Sequence, residues 1–205
     1  MKKMHKLTKE TAGDILNKCA QTLNDGGIAV VPTETVYGFA CDAFNIEAQK
    51  KIYAIKGRDF RKPLILFPDT IENARMFVDI PNDAIKIINK FWPGQLTLVF
   101  ATTEMGKMVS GGRKDLGVRI PDNKFLLNLL KTFKKPLFTT SANLSGTKSI
   151  KNGDDAHIFE DHADIIINSG ICKFSLESTV IDMIKFPYIV IRKGCLDTKK
   201  ILACI

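Results

Sequence analysis

Four cations fall within seven residues in the run Lys56-Gly57-Arg58-Asp59-Phe60-Arg61-Lys62. The run follows a stretch of helical periodicity and precedes the apolar segment Leu64-Ile65-Leu66-Phe67. If the chain is extended there, a spacing of two puts Lys56 and Arg58 on one face. Two converging cations suit a triphosphate, with arginine as a planar fork and lysine as a point charge. A solvated helix C-terminus, where the dipole favours cations, would hold the same residues.

Two polar segments could share that chemistry. Pro32-Thr33-Glu34-Thr35-Val36-Tyr37-Gly38 follows the apolar run Ile28-Ala29-Val30-Val31. A loop at the end of a buried strand can line a crevice. Thr33 and Thr35 bring hydroxyls, and Tyr37 brings a ring and a hydroxyl. Thr139-Thr140-Ser141-Ala142-Asn143-Leu144-Ser145-Gly146 also follows an apolar strand. It can offer backbone N–H groups, hydroxyls and one amide to an anion without bulk. Neither a Walker loop nor a Gly-x-Ser-x-Gly elbow is present. Turn chemistry accounts equally for Thr139–Gly146, and Pro32–Gly38 taken alone reads as an ordinary polar turn with one aromatic packed in the core.

Three single positions add to these. Arg119, in Gly117-Val118-Arg119-Ile120-Pro121, is expected inside a strand and needs a partner there. A substrate carboxylate is one candidate; Asp115 and Asp122 are the ordinary ones. Ser178-Thr179 opens a late strand with more hydroxyls, and Arg192 sits at a strand end within reach of phosphate.

The elements that must hold these groups alternate along the chain. Helices are expected over Leu7–Asn24, Asn45–Lys56, Ile71–Val78, Asn82–Phe91 and Pro121–Phe133, with a short one from Asp197. Ile46, Ile52, Tyr53 and Ile55 are core candidates of the second, and Gly57 its stop. Strands are expected over Ile28–Val31, Leu64–Phe67, Leu96–Phe100, Gly117–Ile120, Leu137–Thr139, Ile165–Ile167, Thr179–Met183 and Tyr188–Ile191. Several late strands lie close together, so the pattern predicts an α/β fold with α+β character. It is a twisted, open, mixed sheet flanked by helices.

The chain has 205 residues, 45% of them hydrophobic, enough for one sizeable core. A single domain over 1–205 is expected. No apolar run reaches membrane-spanning length, and a cytoplasmic location follows by default. The five cysteines are scattered and the three histidines fit no zinc spacing, so reduced, structural thiols are expected. A net charge of +8 suits anionic partners such as nucleotides or RNA, and suits plain solubility as well.

Taken in order, the segments resemble one family. They are Pro32–Gly38, Lys56-Gly57-Arg58 with Lys62-Pro63-Leu64, Trp92-Pro93-Gly94 with Leu96-Thr97-Leu98, Gly117–Pro121, Ser141–Gly146, Ser178–Asp182 and Arg192–Gly194. The order looks like that of the YrdC/TsaC threonylcarbamoyl-AMP synthases, over about residues 26–194. The resemblance implies a single YrdC-like domain with a concave basic surface. It also implies that ATP, bicarbonate and L-threonine form threonylcarbamoyl-AMP for tRNA modification, Mg²⁺ being held mainly by the ATP phosphates. Lys56 and Arg58 would be catalytic. Lys56, Arg58, Lys62, Ser141, Asn143, Ser149 and Arg192 would approach ATP. Thr35, Arg119, Thr139 and Ser178 would surround threonine. Downstream threonylcarbamoyl-transferase proteins would take the product, with direct RNA contact at most weak.

The chain departs from the family pattern at four places. Phe67 stands where a histidine is common, Gln95 and Lys193 where prolines are common, and Ile150 where a proline usually follows Ser149. Two rivals share the features: a basic domain that holds RNA without chemistry, and a carbamoyl-transfer domain. Steep salt dependence would mark the first. Turnover of carbamoyl phosphate would mark the second.

Overall fold

The computed structural model describes residues 3–204. Ten strands form one sheet: β1 (Met4–Lys6), β2 (Ala29–Val31), β3 (Gly38–Asp42), β4 (Ile65–Phe67), β5 (Leu96–Ala101), β6 (Asp115–Val118), β7 (Leu137–Ser141), β8 (Ile165–Asn168), β9 (Thr179–Asp182) and β10 (Ile189–Arg192). Their order across the sheet is β1-β8-β2-β3-β7-β4-β6-β5-β9-β10. The pairs β1–β8, β2–β8, β4–β6 and β5–β9 are parallel; the other five are antiparallel. The sheet is therefore mixed, as the clustering of late strands predicts.

The helices are α1 (Ala12–Asn24), α2 (Ile46–Lys56), α3 (Ile71–Ala74), α4 (Ala84–Phe91), α5 (Glu104–Val109), α6 (Lys124–Phe133) and α7 (Thr198–Leu202). None is long and apolar enough to cross a membrane among the described residues. Side-chain alternation sorts the apolar residues onto the two faces of the sheet. Ile28 and Val30 join one core with Ile52, Ile87 and Ile88, while Ala29 and Val31 join another with Leu23, Phe125 and Leu129. Buried on both faces, the central strands read as continuous apolar runs.

The helix boundaries follow local chemistry. Asn45 caps α2 by accepting the Ala48 N–H, and Gly57 ends the helix in the left-handed region at φ 56°. Helix α1 starts five residues later than its apolar pattern suggests. Thr8 and Thr11 exchange side-chain and backbone hydrogen bonds, and this local turn competes with helix. Two segments expected as long helices shorten: only Ile71–Ala74 of the first is helical, and the second begins at Ala84. Ile46 is exposed rather than a core residue of α2.

Sequence reasoning passed over β1, β3 and α5. Strand β3, Gly-Phe-Ala-Cys-Asp, carries small residues and a terminal aspartate instead of a β-branched run. Its strand state comes from pairing on both sides, with β2 and β7. Tertiary context overrides a weak local preference there.

Candidate functional site

A cleft opens where several strand ends meet. The β2–β3 connection supplies Thr33 and Thr35, the turn after α2 supplies Arg58, and the residue after β6 supplies Arg119. Strand β7 supplies Thr139 and Ser141; Glu177 and Ser178 precede β9; Arg192 ends β10. Register explains the gathering: Gly38 pairs with Ser141 and Ile65 with Thr139, so the β2–β3 turn and the end of β7 lie side by side. Seven of the eleven expected site residues line this cleft: Thr35, Arg58, Arg119, Thr139, Ser141, Ser178 and Arg192.

Lys56 and Asn143 are not among the residues that line the cleft. The Lys56 ammonium donates to Ser141 O at 2.5 Å, Asn143 O at 2.8 Å and Asn143 Oδ1 at 2.7 Å. An ammonium has three N–H donors, so all are used. Burial, then the neighbouring Arg58 charge, pulls its pKa down to about 7. Ser141 Oγ also donates to Asn143 Oδ1, and Asn143 Nδ2 donates to the Leu144 and Thr147 carbonyls. Lys56 is thus a post around which the loop after β7 is wrapped.

The extended-chain geometry expected for Lys56 and Arg58 is not what forms. Lys56 ends a helix and Gly57 turns left-handed, so the two side chains part. Arg58 reaches the cleft, braced by Nε to Lys62 O at 3.1 Å and Nη2 to Pro63 O at 3.2 Å. Burial lowers its pKa against the opposing influence of Tyr53, and a guanidinium stays charged regardless. The Lys62 side chain is exposed and stays out of the cleft lining.

Arg119 lies just past β6 rather than within a strand, and it is 3% exposed. Its partner is neither Asp115, which binds Arg113, nor Asp122. It is Glu34, at 2.6 Å and equally buried. Nη1 donates to Thr35 Oγ1 and Nε to Gly94 O, while the Phe67 ring lies 5.5 Å from Cζ. Three of five N–H donors are taken, leaving one on each terminal nitrogen. Glu34 Oε2 is buried without a hydrogen-bond partner among the described residues.

The hydroxyls have assignable directions. Thr33 donates its one proton to Val36 O, so the 2.7 Å contact between Thr33 and Thr35 has Thr35 as donor. Thr35, also receiving Arg119, meets a ligand only as an acceptor. Thr139 donates to Ile65 O at 3.3 Å. Ser178 Oγ contacts Thr97 Oγ1 at 2.8 Å and accepts from Arg192 Nη2 at 3.0 Å. Arg192 also donates from Nε to Ser178 O, so Nη1 has no hydrogen-bond partner among the described residues. Ser149 donates to Glu177 Oε1 at 2.7 Å, just beyond the lining.

Sequence reasoning missed Glu34 and Glu177. The signal for Glu34 was the rule it was meant to satisfy: a buried arginine needs a carboxylate, and the sought partner lay 85 residues away. Glu177 stands immediately before Ser178 and is the one carboxylate in the lining. Three arginines, Arg58, Arg119 and Arg192, share the lining with that acid.

A family model for Sua5, YciO and YrdC proteins, described as "Telomere recombination", matches residues 21–194. A Methanocaldococcus jannaschii protein is 32% identical over 204 residues, covering 98% of this chain and 96% of that protein. The chain belongs to the Sua5/YciO/YrdC family. The Pyrococcus abyssi threonylcarbamoyl-AMP synthase is 34% identical over 184 residues; the match covers 87% of this chain and 54% of that longer protein. The crystal structure of Pyrococcus abyssi Sua5 with L-threonine superposes with a TM-score of 0.91 at 32% identity, covering 98% of this chain and 60% of that one. The family fold thus accounts for the sheet order and for the convergence of strand ends on one cleft.

Proposed function

We propose that this chain is an L-threonylcarbamoyladenylate synthase, a nucleotidyltransferase that joins ATP, bicarbonate and L-threonine. One observation carries the reading: three guanidiniums and a set of oriented hydroxyls face one cleft from strand ends far apart in sequence. The names of the relatives and the threonine bound to the Pyrococcus protein support the same chemistry.

The threonine amine first attacks the bicarbonate carbon, and water leaves to give the N-carboxy adduct. Its carboxylate attacks the α-phosphorus of ATP, and pyrophosphate leaves. No protein nucleophile is needed; alignment and cations over the developing phosphate charge are. Arg58 and Arg192 serve the phosphates. Arg119, its charge already matched by Glu34, offers its two remaining N–H groups to the threonine carboxylate. Thr35, as an acceptor, receives the substrate ammonium or hydroxyl. Thr139 and Ser178 bound the same corner. Lys56 and Asn143 act through the loop that presents Ser141.

Mg²⁺ belongs on the ATP phosphates. The one carboxylate among the lining residues, Glu177, already accepts from Ser149, so the lining would leave the ion to the phosphates. A phosphate-borne, mostly hydrated ion would need no protein cage, and when bound it would offset charge on the leaving pyrophosphate. The product would pass to threonylcarbamoyl-transferase proteins that modify tRNA. The free, largely buried thiols fit a reducing cytoplasm.

The test is pyrophosphate release with each substrate omitted in turn. Release that requires ATP, bicarbonate and threonine together is expected. Equal release without threonine, or turnover of carbamoyl phosphate in place of threonine and bicarbonate, would refute the assignment.

A further inference from the structure

Glu177 is an anion in a cleft otherwise suited to anions. A carboxylate beside a triphosphate repels it unless the charge has a use. Burial alone would raise the Glu177 pKa, yet the Ser149 hydroxyl, its own backbone N–H, and the Arg192 and Lys151 charges together lower it. The group is therefore ionised near neutrality and accepts hydrogen bonds only. Ser149 has one hydroxyl proton, and it goes to Glu177 Oε1 at 2.7 Å. Ser149 can then also only accept.

The pair thus presents acceptors and no donors. Phosphate oxygens are acceptors too and gain nothing from it. The donors on ATP are the two ribose hydroxyls and the adenine amino group. Arg192, whose charge is felt at Glu177, also braces Ser178 next door and keeps one nitrogen free for phosphate. The ribose lies one ester link from the α-phosphate, whereas the amino group lies at the far edge of the base. We infer that Glu177, with Ser149 beside it, forms the ribose subsite and makes the cleft selective for ribonucleoside over deoxyribonucleoside triphosphates. The geometry supports it further at the backbone: the Glu177 carbonyl accepts the Cys195 N–H, which fixes the residue between the cleft and the segment after β10.

This inference rests on the synthase reading, and calorimetry can separate the two. ATP, 2′-deoxy-ATP, 3′-deoxy-ATP and inosine triphosphate are titrated into the full chain without threonine, with Mg²⁺ and again with Mg²⁺ chelated. Wild type is expected to bind ATP about tenfold or more tighter than at least one deoxy analogue, the ratio for a hydrogen bond to a charged acceptor. In Glu177→Ala that ratio falls to about one, and in Glu177→Gln, which keeps a neutral acceptor, it lies between. Circular dichroism of both variants confirms that they are folded. A wild type that binds ATP without ribose preference overturns the inference and leaves the synthase reading standing. So does a Glu177→Ala loss that disappears on chelation, which gives the carboxylate to the metal. A loss that tracks inosine triphosphate instead gives it to the base and also overturns the inference. A wild type that binds no nucleoside triphosphate refutes both readings.

Discussion

Lys56 and Arg58 stand two residues apart and do different work. Lys56 is 2% exposed, and every proton it carries is held by the end of β7 and the loop that follows. Arg58 is braced by backbone carbonyls and faces the cleft with donors to spare. Arg119 stands between them: it is locked to Glu34 in the interior yet keeps two donors, whereas Arg192 sits at the open side. A cation's role here follows from how many donors the fold has already used. Charge count along the sequence does not reveal it.

The largest test of that division is at the buried pair. Arg119→Ala leaves the Glu34 carboxylate uncompensated and should lower stability by about 3–5 kcal/mol, seen as a large drop in melting temperature. Unchanged melting would place the pair outside the framework. At the open cation the outcome reverses. Arg58→Ala should keep its melting temperature and lose about a hundredfold in kcat/KM for ATP, the loss of a charge-assisted contact. Loss of fold instead would put Arg58 with Lys56. Smaller again is the cap of α2, which delivers both residues. Asn45→Ala should cost about 1 kcal/mol of stability in denaturant unfolding, with activity per folded molecule unchanged.

Most of the site was legible as segments and not as contacts. The hydroxyl loops, Arg58, Arg119 and Arg192 were visible because small polar and cationic residues interrupt apolar runs. Their convergence needs the sheet order, which places β7 between β3 and β4, and no local pattern encodes that. The capping role of Asn45 and the stop at Gly57 are local chemistry and could be read directly. Strand β3 could not, since its state depends on neighbours on both sides. Glu34 was in plain view within a quoted motif, yet only the fold shows which arginine it serves.

The subtlest consequence concerns pH. The Lys56 pKa falls from 10.5 in the ordinary lysine to about 7 in the folded chain, chiefly through burial. Between those values the unfolded chain binds the proton and the folded chain does not. This group therefore favours folding most above 10.5 and loses that contribution as pH falls through about 7. Comparing melting of wild type and Lys56→Met across that window should give a difference that grows in favour of wild type as pH rises. A flat difference would mean that the loop oxygens hold the proton throughout.

The most direct measurement titrates ATP, with L-threonine present, into wild type and Arg58→Ala while melting is followed on the same samples. The expected result is that both proteins melt alike and only wild type binds ATP tightly. An Arg58→Ala protein that binds ATP as wild type does would contradict the placement of the nucleotide in this cleft.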